Sequence, residues 1–590
     1  MDIKKIIESL IQKACKNLGY ENKEVVCSFS NRPELCDFQC NYAMVNCKSL
    51  GKAPFDVAEE IINELNKEEN DLFIFSAVRP GFINIKLTDV AFSKIANDLL
   101  SDENLGIQKN DVKRKIIIDY GGANVAKELH VGHLRSPIIG ESLKRLCKLL
   151  GDEVISDVHL GDYGLQMGLT VLQLEEDGLL DYYFGKSNEK IEITLSMLNS
   201  AYPKASKRKK EDEEFRKKAD LYTLYIQQKK EPYLTIYKEI RSKSVEQIKK
   251  NYEDLNATFD LWLGESDASE YTDRTVKLFI DKGLTRESEG SLIVDVAREG
   301  EHIPIPKKSP DEVQRYENPM PPAIIKKYNG SDLYATTDIA TILMRNETYN
   351  PDEIIYIVDS RQNQHFEQVF RCCKMAGISP ENQKLTFIGF GTMNGKDGKP
   401  FKTRDGGLIK LEDIINLLKD KASEKLKSNG VEQDDDNMAL KIGVAAMKFG
   451  DLSNNVLKDY VFDIDKFLSF EGKTGPYLQY TLVRIASIKR KIEAKASEIV
   501  IDNDDERRII ISLLKLISSY GICYKDKSLN LLCLSSYELA SSFSTFYNNH
   551  KILTENDENK RNSYLALCDL VYKELALALN VLAIDVVDRM

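Results

Sequence analysis

One stretch of the chain, residues 116–151, limits the possible folds more than any other. It begins with three isoleucines, Ile116 to Ile118, whose β-branched side chains predict a buried strand. A glycine-rich turn follows, and from about Gly132 apolar residues recur at helical spacing until Gly151, where we expect the helix to stop. A strand, a glycine turn and a helix in this order point free backbone N–H groups and a helix dipole at an anion. The stretch therefore predicts an α/β sheet with an anion site at its carboxyl edge.

Potential donors to phosphate oxygens gather at the mouth of this helix. They are Lys127, His130 and His133. Gly132 lies between the histidines and has no side chain, so a flat base could approach the backbone closely. The two histidines are also compatible with half of a zinc site or with an ordinary surface turn. No third and fourth ligand lies nearby in the sequence, so we favour phosphate over metal.

Length and composition set wider limits. With 590 residues, 42% of them apolar and 30% charged, the chain has the size of about three or four domains. It has no apolar run of about 18 residues and opens with a charged amphipathic segment, so we expect a cytoplasmic protein that does not bind membranes. The net charge of −11 argues weakly against a nucleic-acid partner. It does not exclude one, because phosphate binding depends on local basic patches.

The cysteines suggest a reducing compartment. Eleven occur without a C-x-x-C pair, which predicts free thiols. Four cluster near the N-terminus: Cys27, Cys36, Cys40 and Cys47. Their spacing fits no common zinc motif, so a zinc site is the less favoured alternative.

The signature stretch resembles that of a known family. HVGH, residues 130–133, resembles the HIGH signature of class I aminoacyl-tRNA synthetases. The longer string ANVAKELHVGHLRS, residues 123–136, is similar to the form that this signature takes in arginyl-tRNA synthetases. Four letters are weak support because related nucleotidyltransferases share them, whereas the fourteen-residue string is far more specific.

The resemblance implies the domain order and the reaction. It predicts an α/β protein with an N-terminal α/β domain that binds the tRNA elbow at 1–108, a Rossmann-like catalytic domain with an insertion at about 175–290 within 109–454, and a helical anticodon-binding domain at 455–590. The local patterns agree, since they predict helices at 6–18 and 55–65 and strands at 72–78, 82–87, 154–158 and 354–358. The implied reaction activates arginine with ATP and transfers it to the 3′ end of tRNA(Arg), with tRNA needed for activation.

The resemblance assigns the arginine pocket to five residues: Asp119, Asn124, Tyr334, Asp338 and Gln362. Tyr334 and Asp338 are four apart and would share one helix face. A guanidinium needs a planar surface to stack on and a carboxylate to pair with, and this pair supplies both. The alternative is an ordinary helix with a buried tyrosine and a capping aspartate. His365 either approaches the ligand or is structural.

ATP contacts are assigned to His130, Gly132, His133, Gly391, Met393 and Lys402, and the catalytic donors are Lys127, His130, His133 and Lys402. The segment 387–406 lacks the third glycine of a dinucleotide loop and the Ser or Thr of a Walker A loop. It better resembles a degenerate form of the mobile KMSKS loop of class I synthetases. The resemblance implies that Lys127 compensates for the loss of this signature. The string GDYG, 161–164, predicts a tight loop near the nucleotide, in which Asp162 caps a turn.

Contacts to tRNA are assigned at both ends of the chain. Phe82 and Asn84 occupy the places of family residues that meet a D-loop base, although Phe82 as core and Asn84 as a turn cap is an equal alternative. In the last domain Tyr477, Tyr480 and Arg484 offer stacking faces and a phosphate donor. The mixed-charge run 204–218 in the insertion is more typical of a solvated helix face.

The start of the signature helix is ambiguous. Ser136 as N-cap and Pro137 as the first residue would suit general rules. The resemblance starts the helix nearer Gly132, which places the proline inside it. We favour the earlier start with a local distortion.

The implied partners are ATP, Mg²⁺ carried with ATP, L-arginine and tRNA(Arg), and we expect a monomer because no coiled-coil or repeat pattern appears. Three rivals remain: a class I synthetase for another amino acid, a small-molecule adenylyltransferase and a non-catalytic tRNA-binding paralogue. The Tyr334/Asp338 pair counts against a synthetase for another amino acid, and the long C-terminal domain counts against a small-molecule adenylyltransferase. The intact set of Lys127, His130 and His133 counts against a non-catalytic paralogue.

The pocket assignment predicts the behaviour of Asp338→Ala. Removing the carboxylate leaves the guanidinium unpaired, so arginine activation should fall far more than ATP binding. Steady-state kinetics with each substrate varied in turn measures both effects. Unchanged arginine kinetics would contradict the assignment.

Overall fold

The computed structural model describes residues 3–20, 23–304, 316–317, 319–326, 334–395, 398, 409–428, 430–431, 436–492 and 497–590. Within these ranges no helix combines the length and apolarity needed to cross a membrane.

The N-terminal region is an antiparallel sheet covered by helices. Its elements are α1 Ile3–Asn17, β1 Cys27–Phe29, β2 Phe38–Cys40, α2 Tyr42–Leu50, α3 Pro54–Leu65, β3 Phe73–Val78, β4 Phe82–Leu87 and α4 Asp89–Ser101. The strand order is β1-β2-β4-β3. The predicted helices and strands of this region are confirmed, and the turn between β3 and β4 closes where Gly81 N–H donates to Val78 O at 3.0 Å. All eleven cysteines are free thiols.

A four-stranded parallel sheet lies at the centre of the protein. The elements of its first half are β5 Lys115–Tyr120, α5 Arg135–Leu149, β6 Glu153–Asp157 and α6 Leu165–Glu176. An insertion follows that is helical at first and ends in short strands: α7 Leu195–Arg208, α8 Glu213–Gln227, α9 Tyr233–Asp254, α10 Ser269–Asp281, β7 Thr285–Ser288, β8 Ser291–Val294, β9 Ile303–Pro304, β10 Tyr316–Glu317 and β11 Ala323–Lys326.

The second half completes the sheet and leads into helices. Its elements are α11 Tyr334–Tyr349, β12 Glu353–Asp359, α12 Asn363–Met375, β13 Lys384–Phe390, β14 Met393–Asn394, α13 Leu411–Ser428, α14 Asp436–Leu452, β15 Tyr460–Val461 and α15 Ile464–Phe467. The strand order is β13-β12-β5-β6, and all three pairings are parallel. The carboxyl ends of β5, β6 and β12 therefore meet at one edge, as the sequence predicted.

The C-terminal region is helical, as predicted. Its helices are α16 Gly475–Lys491, α17 Asp504–Asp526, α18 Asn530–Asn549 and α19 Glu558–Val581. It is tied to the N-terminal region through Asn97, whose side chain exchanges hydrogen bonds of 2.8 and 2.9 Å with the backbone of Ile499.

The last residues of the chain fold back onto α5. Arg145 of α5 donates to Asn580 O at 3.1 Å, and the fully buried Lys448 of α14 donates to Ala583 O at 2.7 Å. Asn256 joins the group by donating to the Asp585 carboxylate at 2.9 Å. The C-terminal segment, residues 580–585, therefore supports the helix that follows the histidine turn.

The signature helix α5 begins at Arg135, between the two predicted starts, and a separate 3₁₀ turn, Val131–His133, precedes it. The favoured start near Gly132 therefore corresponds to the 3₁₀ turn and not to the α-helix. Pro137 is the third residue of α5. Because the first N–H groups of a helix have no intrahelical acceptor, the missing amide hydrogen of Pro137 costs no hydrogen bond.

Helix α5 packs against β5 without a gap. A Cβ atom at Gly140 would lie 2.2 Å from Cγ of Tyr120, which is fully buried. Only glycine allows this approach. The Tyr120 hydroxyl donates to Glu141 of the same helix at 2.9 Å.

Gly140→Ala should destabilise the protein by about 1–3 kcal/mol through overpacking, despite the better helix propensity of alanine. Gly521→Ala in α17 is the matched control, since a Cβ there meets nothing within 4 Å. Thermal unfolding of both variants tests the prediction. Equal melting temperatures for Gly140→Ala and Gly521→Ala would contradict it.

Candidate active site

The two signature histidines hold each other through the backbone. His130 Nδ1 accepts the Gly132 N–H, and His133 Nδ1 accepts the His130 N–H, each at 3.1 Å. The ring centroids are 4.0 Å apart. Because each Nδ1 accepts a hydrogen bond from a backbone N–H, the proton of each neutral ring is on Nε2. The turn thus presents two Nε2–H donors.

The environment keeps both rings neutral. Burial, together with smaller contributions from His130 and Lys127, lowers the pKa of His133 to about 3. Burial and the charge of Lys127 lower the pKa of His130. Near neutral pH the turn therefore offers N–H donors without fixed positive charge. Lys127 adds a cation beside it, with Nζ 4.7 Å from the ring centroid of Tyr202 on α7.

The segment after the predicted mobile loop is joined to the histidine turn. Val131 N–H donates to Ile409 O, and Leu411 N–H donates to Leu129 O, both at 2.9 Å. Glu128 accepts from Lys410 at 2.8 Å. Lys402 itself, and with it the run 399–408, lies outside the described residues. The next described residue, Ile409, is hydrogen-bonded to Val131, which lies between the two histidines in sequence.

Gly391 and Met393 lie next to the same turn. Arg135, which is 2% exposed, donates to Gly391 O at 2.7 Å and to the Asp451 carboxylate at 2.9 Å. A Cβ at Gly391 would lie 2.5 Å from the backbone of Lys458, so glycine is needed for this close packing. Met393 is buried. Their assignment to ATP stays a prediction.

A buried ion pair lies at the carboxyl ends of β5 and β6. Arg345 of α11 is fully buried, and its Nη2 donates to Asp119 and to Asp157 at 2.7 Å each. Its Nη1 donates to the Tyr356 hydroxyl at 3.2 Å. One oxygen of Asp119, predicted to bind the substrate guanidinium, is therefore engaged by a guanidinium of the protein itself. In this structure Asp119 shapes the pocket floor.

Two further carboxyl groups face the same space. Asp338 of α11 accepts from His365 Nε2 at 2.5 Å, so the structure gives the histidine a holding role. Glu265 follows the insertion helix α9. Burial, opposed by His159 and reinforced by the charge of Asp338, raises the pKa of Glu265 to about 7. A cationic ligand between Glu265 and Asp338 would neutralise both.

The remaining pocket residues lie at the same edge. Asn124 forms an isolated bridge with Gly161, where a Cβ would lie 2.5 Å from the Asn124 Oδ1 atom. Gln362 is exposed in a 3₁₀ turn that directly follows β12. Tyr334 is the first residue of α11, and its side chain lies outside the described part. Four of the five predicted pocket residues, all except Tyr334, therefore have both backbone and side chain described at one edge of the sheet.

Asp162 does more than the predicted turn cap. It is fully buried and accepts from Arg241 Nε at 2.7 Å, Ser266 N–H at 2.9 Å and Tyr237 OH at 3.0 Å. The turn-cap interpretation was wrong, because these partners come from the insertion, about 75–104 residues away in sequence. Asp162 positions the segment that contains Glu265.

Of the predicted elbow contacts, Phe82 is half-buried at the start of β4. Asn84 is 5% exposed and accepts from Gln39 on β2 at 2.9 Å. Its amide is thus engaged within the sheet, and the suggested turn cap was wrong as well. Phe82 is the better placed of the two to meet a base.

The residues predicted to bind the anticodon lie close together, and Tyr547 lies beside them. The Arg484 guanidinium lies 4.7 Å from the Tyr480 ring and 4.8 Å from the Tyr547 ring. Tyr477 bonds Ser544 at 2.9 Å. Tyr547 was not predicted from the sequence. Glu265 and Arg345 were also missed, and only the Gly-Glu-Ser string at 264–266 gave a signal for the former.

The chain matches the models of known families along most of its length. Residues 94–464 match the model described as "tRNA synthetases class I (R), catalytic domain", so the fold and the histidine turn are those of a class I synthetase. Residues 1–87 match "Arginyl tRNA synthetase N terminal domain" and residues 478–590 match "DALR anticodon binding domain". The chain belongs to the arginyl-tRNA synthetase family.

Curated relatives agree over the whole length. The chain is 42% identical to the arginine–tRNA ligases of Agathobacter rectalis and Alkaliphilus oremlandii, with 99% of each chain covered. It is 37% identical to that of Francisella tularensis, with both chains fully covered.

Solved structures confirm the fold. The arginyl-tRNA synthetase of Plasmodium falciparum superposes with a TM-score of 0.80 at 24% identity, over 100% of this chain and 99% of that one. The Thermus thermophilus arginyl-tRNA synthetase gives 0.78 at 20% identity, with both chains fully covered.

The depressed pKa of His133 predicts a pH dependence of stability. The ring titrates near 6.5 when unfolded and at about 3 when folded, so the neutral ring stabilises the fold fully above pH 6.5. This stability is lost as the pH falls towards 3. Between pH 7.5 and 5.0 wild type should lose up to about 2 kcal/mol more than His133→Gln, which cannot titrate. Thermal unfolding at both pH values measures this, and a pH-independent difference between the two proteins would contradict it.

Proposed function

We propose that the protein is an arginine–tRNA ligase that forms arginyl-adenylate from arginine and ATP and transfers the arginyl group to the 3′ end of tRNA(Arg). One observation carries the proposal: an acidic pocket lies at the same sheet edge as a turn of neutral histidine donors. The pocket suits a cationic amino acid, and the turn suits the phosphates of ATP. The family relationship supports the same pairing of substrates.

The pocket has an excess of negative charge. Among the described residues it contains the carboxyl groups of Asp119, Asp157, Glu265 and Asp338 and the guanidinium of Arg345. We assign the direct contacts with the substrate guanidinium to Glu265 and Asp338, because Arg345 already engages the two others. A guanidinium offers five N–H donors in a planar fork, whereas a lysine ammonium would leave acceptors unpaired.

The first step needs no protein nucleophile. The arginine carboxylate attacks the α-phosphate in line and pyrophosphate leaves. The Nε2–H groups of His130 and His133 and the ammonium of Lys127 stabilise the charge that develops on the phosphate oxygens. Loss of one such donor costs about 2–4 kcal/mol of transition-state stabilisation. In the second step the terminal ribose hydroxyl of the tRNA attacks the adenylate carbonyl, and AMP leaves.

We propose that Mg²⁺ arrives with ATP, bound to its phosphates. Within the described ranges, one group of three potential metal ligands occurs: Asp119, Asp157 and His159. Arg345 bonds both carboxylates, so this group does not fit a divalent ion. We propose that Lys402 assists pyrophosphate departure and that the ligase works as a cytoplasmic monomer.

Recognition of tRNA is proposed at both ends of the chain. Tyr480, Arg484 and Tyr547 form a continuous aromatic and cationic surface that suits unstacked anticodon bases. Phe82 would stack on a base of the elbow. We propose that activation requires tRNA, in keeping with the family resemblance.

Arginine-dependent ATP–pyrophosphate exchange, with and without tRNA(Arg), tests the function. We expect exchange with arginine when tRNA is present and none with lysine or glutamate as control amino acids. Exchange without tRNA would keep the function and overturn the tRNA requirement. Exchange with another amino acid and none with arginine would overturn the assignment of the pocket.

A further inference from the structure

His159 occupies an unusual position beside the acidic pocket. It follows β6 by two residues, and its φ of 35° lies in the left-handed region, which few residues other than glycine adopt. The strand-like contacts on either side hold it there. Val158 N–H donates to Leu261 O at 3.3 Å, and Leu160 N–H donates to Leu263 O at 2.8 Å. Such conformations are concentrated at functional sites.

The ring of His159 is buried and unsatisfied. Both Nδ1 and Nε2 are inaccessible to solvent, and neither has a hydrogen-bond partner among the residues that the structure describes. A buried polar group without a partner costs free energy, and native proteins rarely keep one unless a ligand or water completes it. We therefore expect a ligand or a water molecule to form a hydrogen bond with this ring.

The surroundings of the ring define the chemistry of that partner. A ring nitrogen lies within 4.8 Å of oxygens of Asp119 and Asp157, and Glu265 is close enough to interact electrostatically with the ring. Carboxylates only accept hydrogen bonds. Arg345 directs Nη1 to Tyr356 and Nη2 to the two aspartates, and its Nε is buried without a hydrogen-bond partner. Among the described residues, the lone pair of the neutral ring therefore has acidic neighbours and no donor hydrogen-bonded to it.

We propose that His159 accepts an N–H of the arginine side chain in the pocket and so helps to select a guanidinium. The proposal deepens the proposed function and rests on it. Glu265 and Asp338 accept from part of the guanidinium fork, and the imidazole lone pair accepts from a further N–H. A ligand with fewer N–H donors leaves this lone pair unpaired and binds more weakly.

The test uses three substitutions in the full-length protein, with tRNA(Arg) present throughout. His159→Leu removes the acceptor. His159→Asn and His159→Gln place a neutral acceptor near the positions of Nδ1 and Nε2, and asparagine also tolerates a positive φ. His302→Gln, in an exposed segment outside the pocket, is the matched control. The KM for arginine, the KM for ATP, kcat of exchange and the melting temperature are measured for each.

We expect His159→Leu to raise the KM for arginine about 10- to 100-fold, the usual effect of losing one hydrogen bond to a charged group. The KM for ATP, kcat and melting temperature should change little. At least one of the Asn and Gln variants should recover most of the arginine affinity, and His302→Gln should match wild type.

Two outcomes would overturn the proposal. One is a KM for arginine within twofold of wild type in His159→Leu. The other is an equal loss in all three variants with a lowered melting temperature, which indicates a purely structural role. If wild type itself shows no exchange with arginine, the proposed function fails first, so the two failures are distinguishable.

Discussion

A buried guanidinium holds the carboxyl edge of the central sheet together. Arg345 bonds Asp119 at the end of β5 and Asp157 at the end of β6, and it comes from α11, which precedes β12. Removing one partner of such a buried pair leaves an uncompensated charge, which costs about 3–5 kcal/mol. The three strand ends are thus kept in fixed relation, and the pocket residues Asp338 and Glu265 are arranged around that fixed floor. Positioning of the substrate depends on it.

Two regions of different charge, a neutral turn and an acidic pocket, lie close together at this edge of the sheet. The histidine turn is desolvated and neutral, so it donates hydrogen bonds without attracting the acidic pocket. The pocket contains several carboxyl groups, and we propose a cationic ligand for it. A positively charged turn would compete with such a ligand for those carboxylates. Backbone donation to each Nδ1 leaves Nε2–H as the free donor, and burial keeps both rings neutral.

Much of this arrangement could be predicted from sequence because it is local. The strand at Ile116–Ile118, the glycine turn and the helix through Leu146 follow from short-range patterns, although the α-helix itself begins at Arg135 and not near Gly132. The ion pair was not, because Arg345 lies 226 residues from Asp119 and reads as an ordinary polar residue of a helix. Glu265 was hidden for a similar reason, since it belongs to the insertion and is held at the pocket by the contacts of Glu265 and Ser266 with Leu160 and Asp162, which are distant in sequence.

The C-terminal segment has a consequence for how the molecule is made. Helix α5 leaves the ribosome long before its partner Asn580, whose backbone oxygen accepts from Arg145, has been synthesised. Since domains generally fold as units during synthesis, the sheet is able to form before this support exists. Helix α5 gains this support only after Asn580, 435 residues beyond Arg145, has been synthesised.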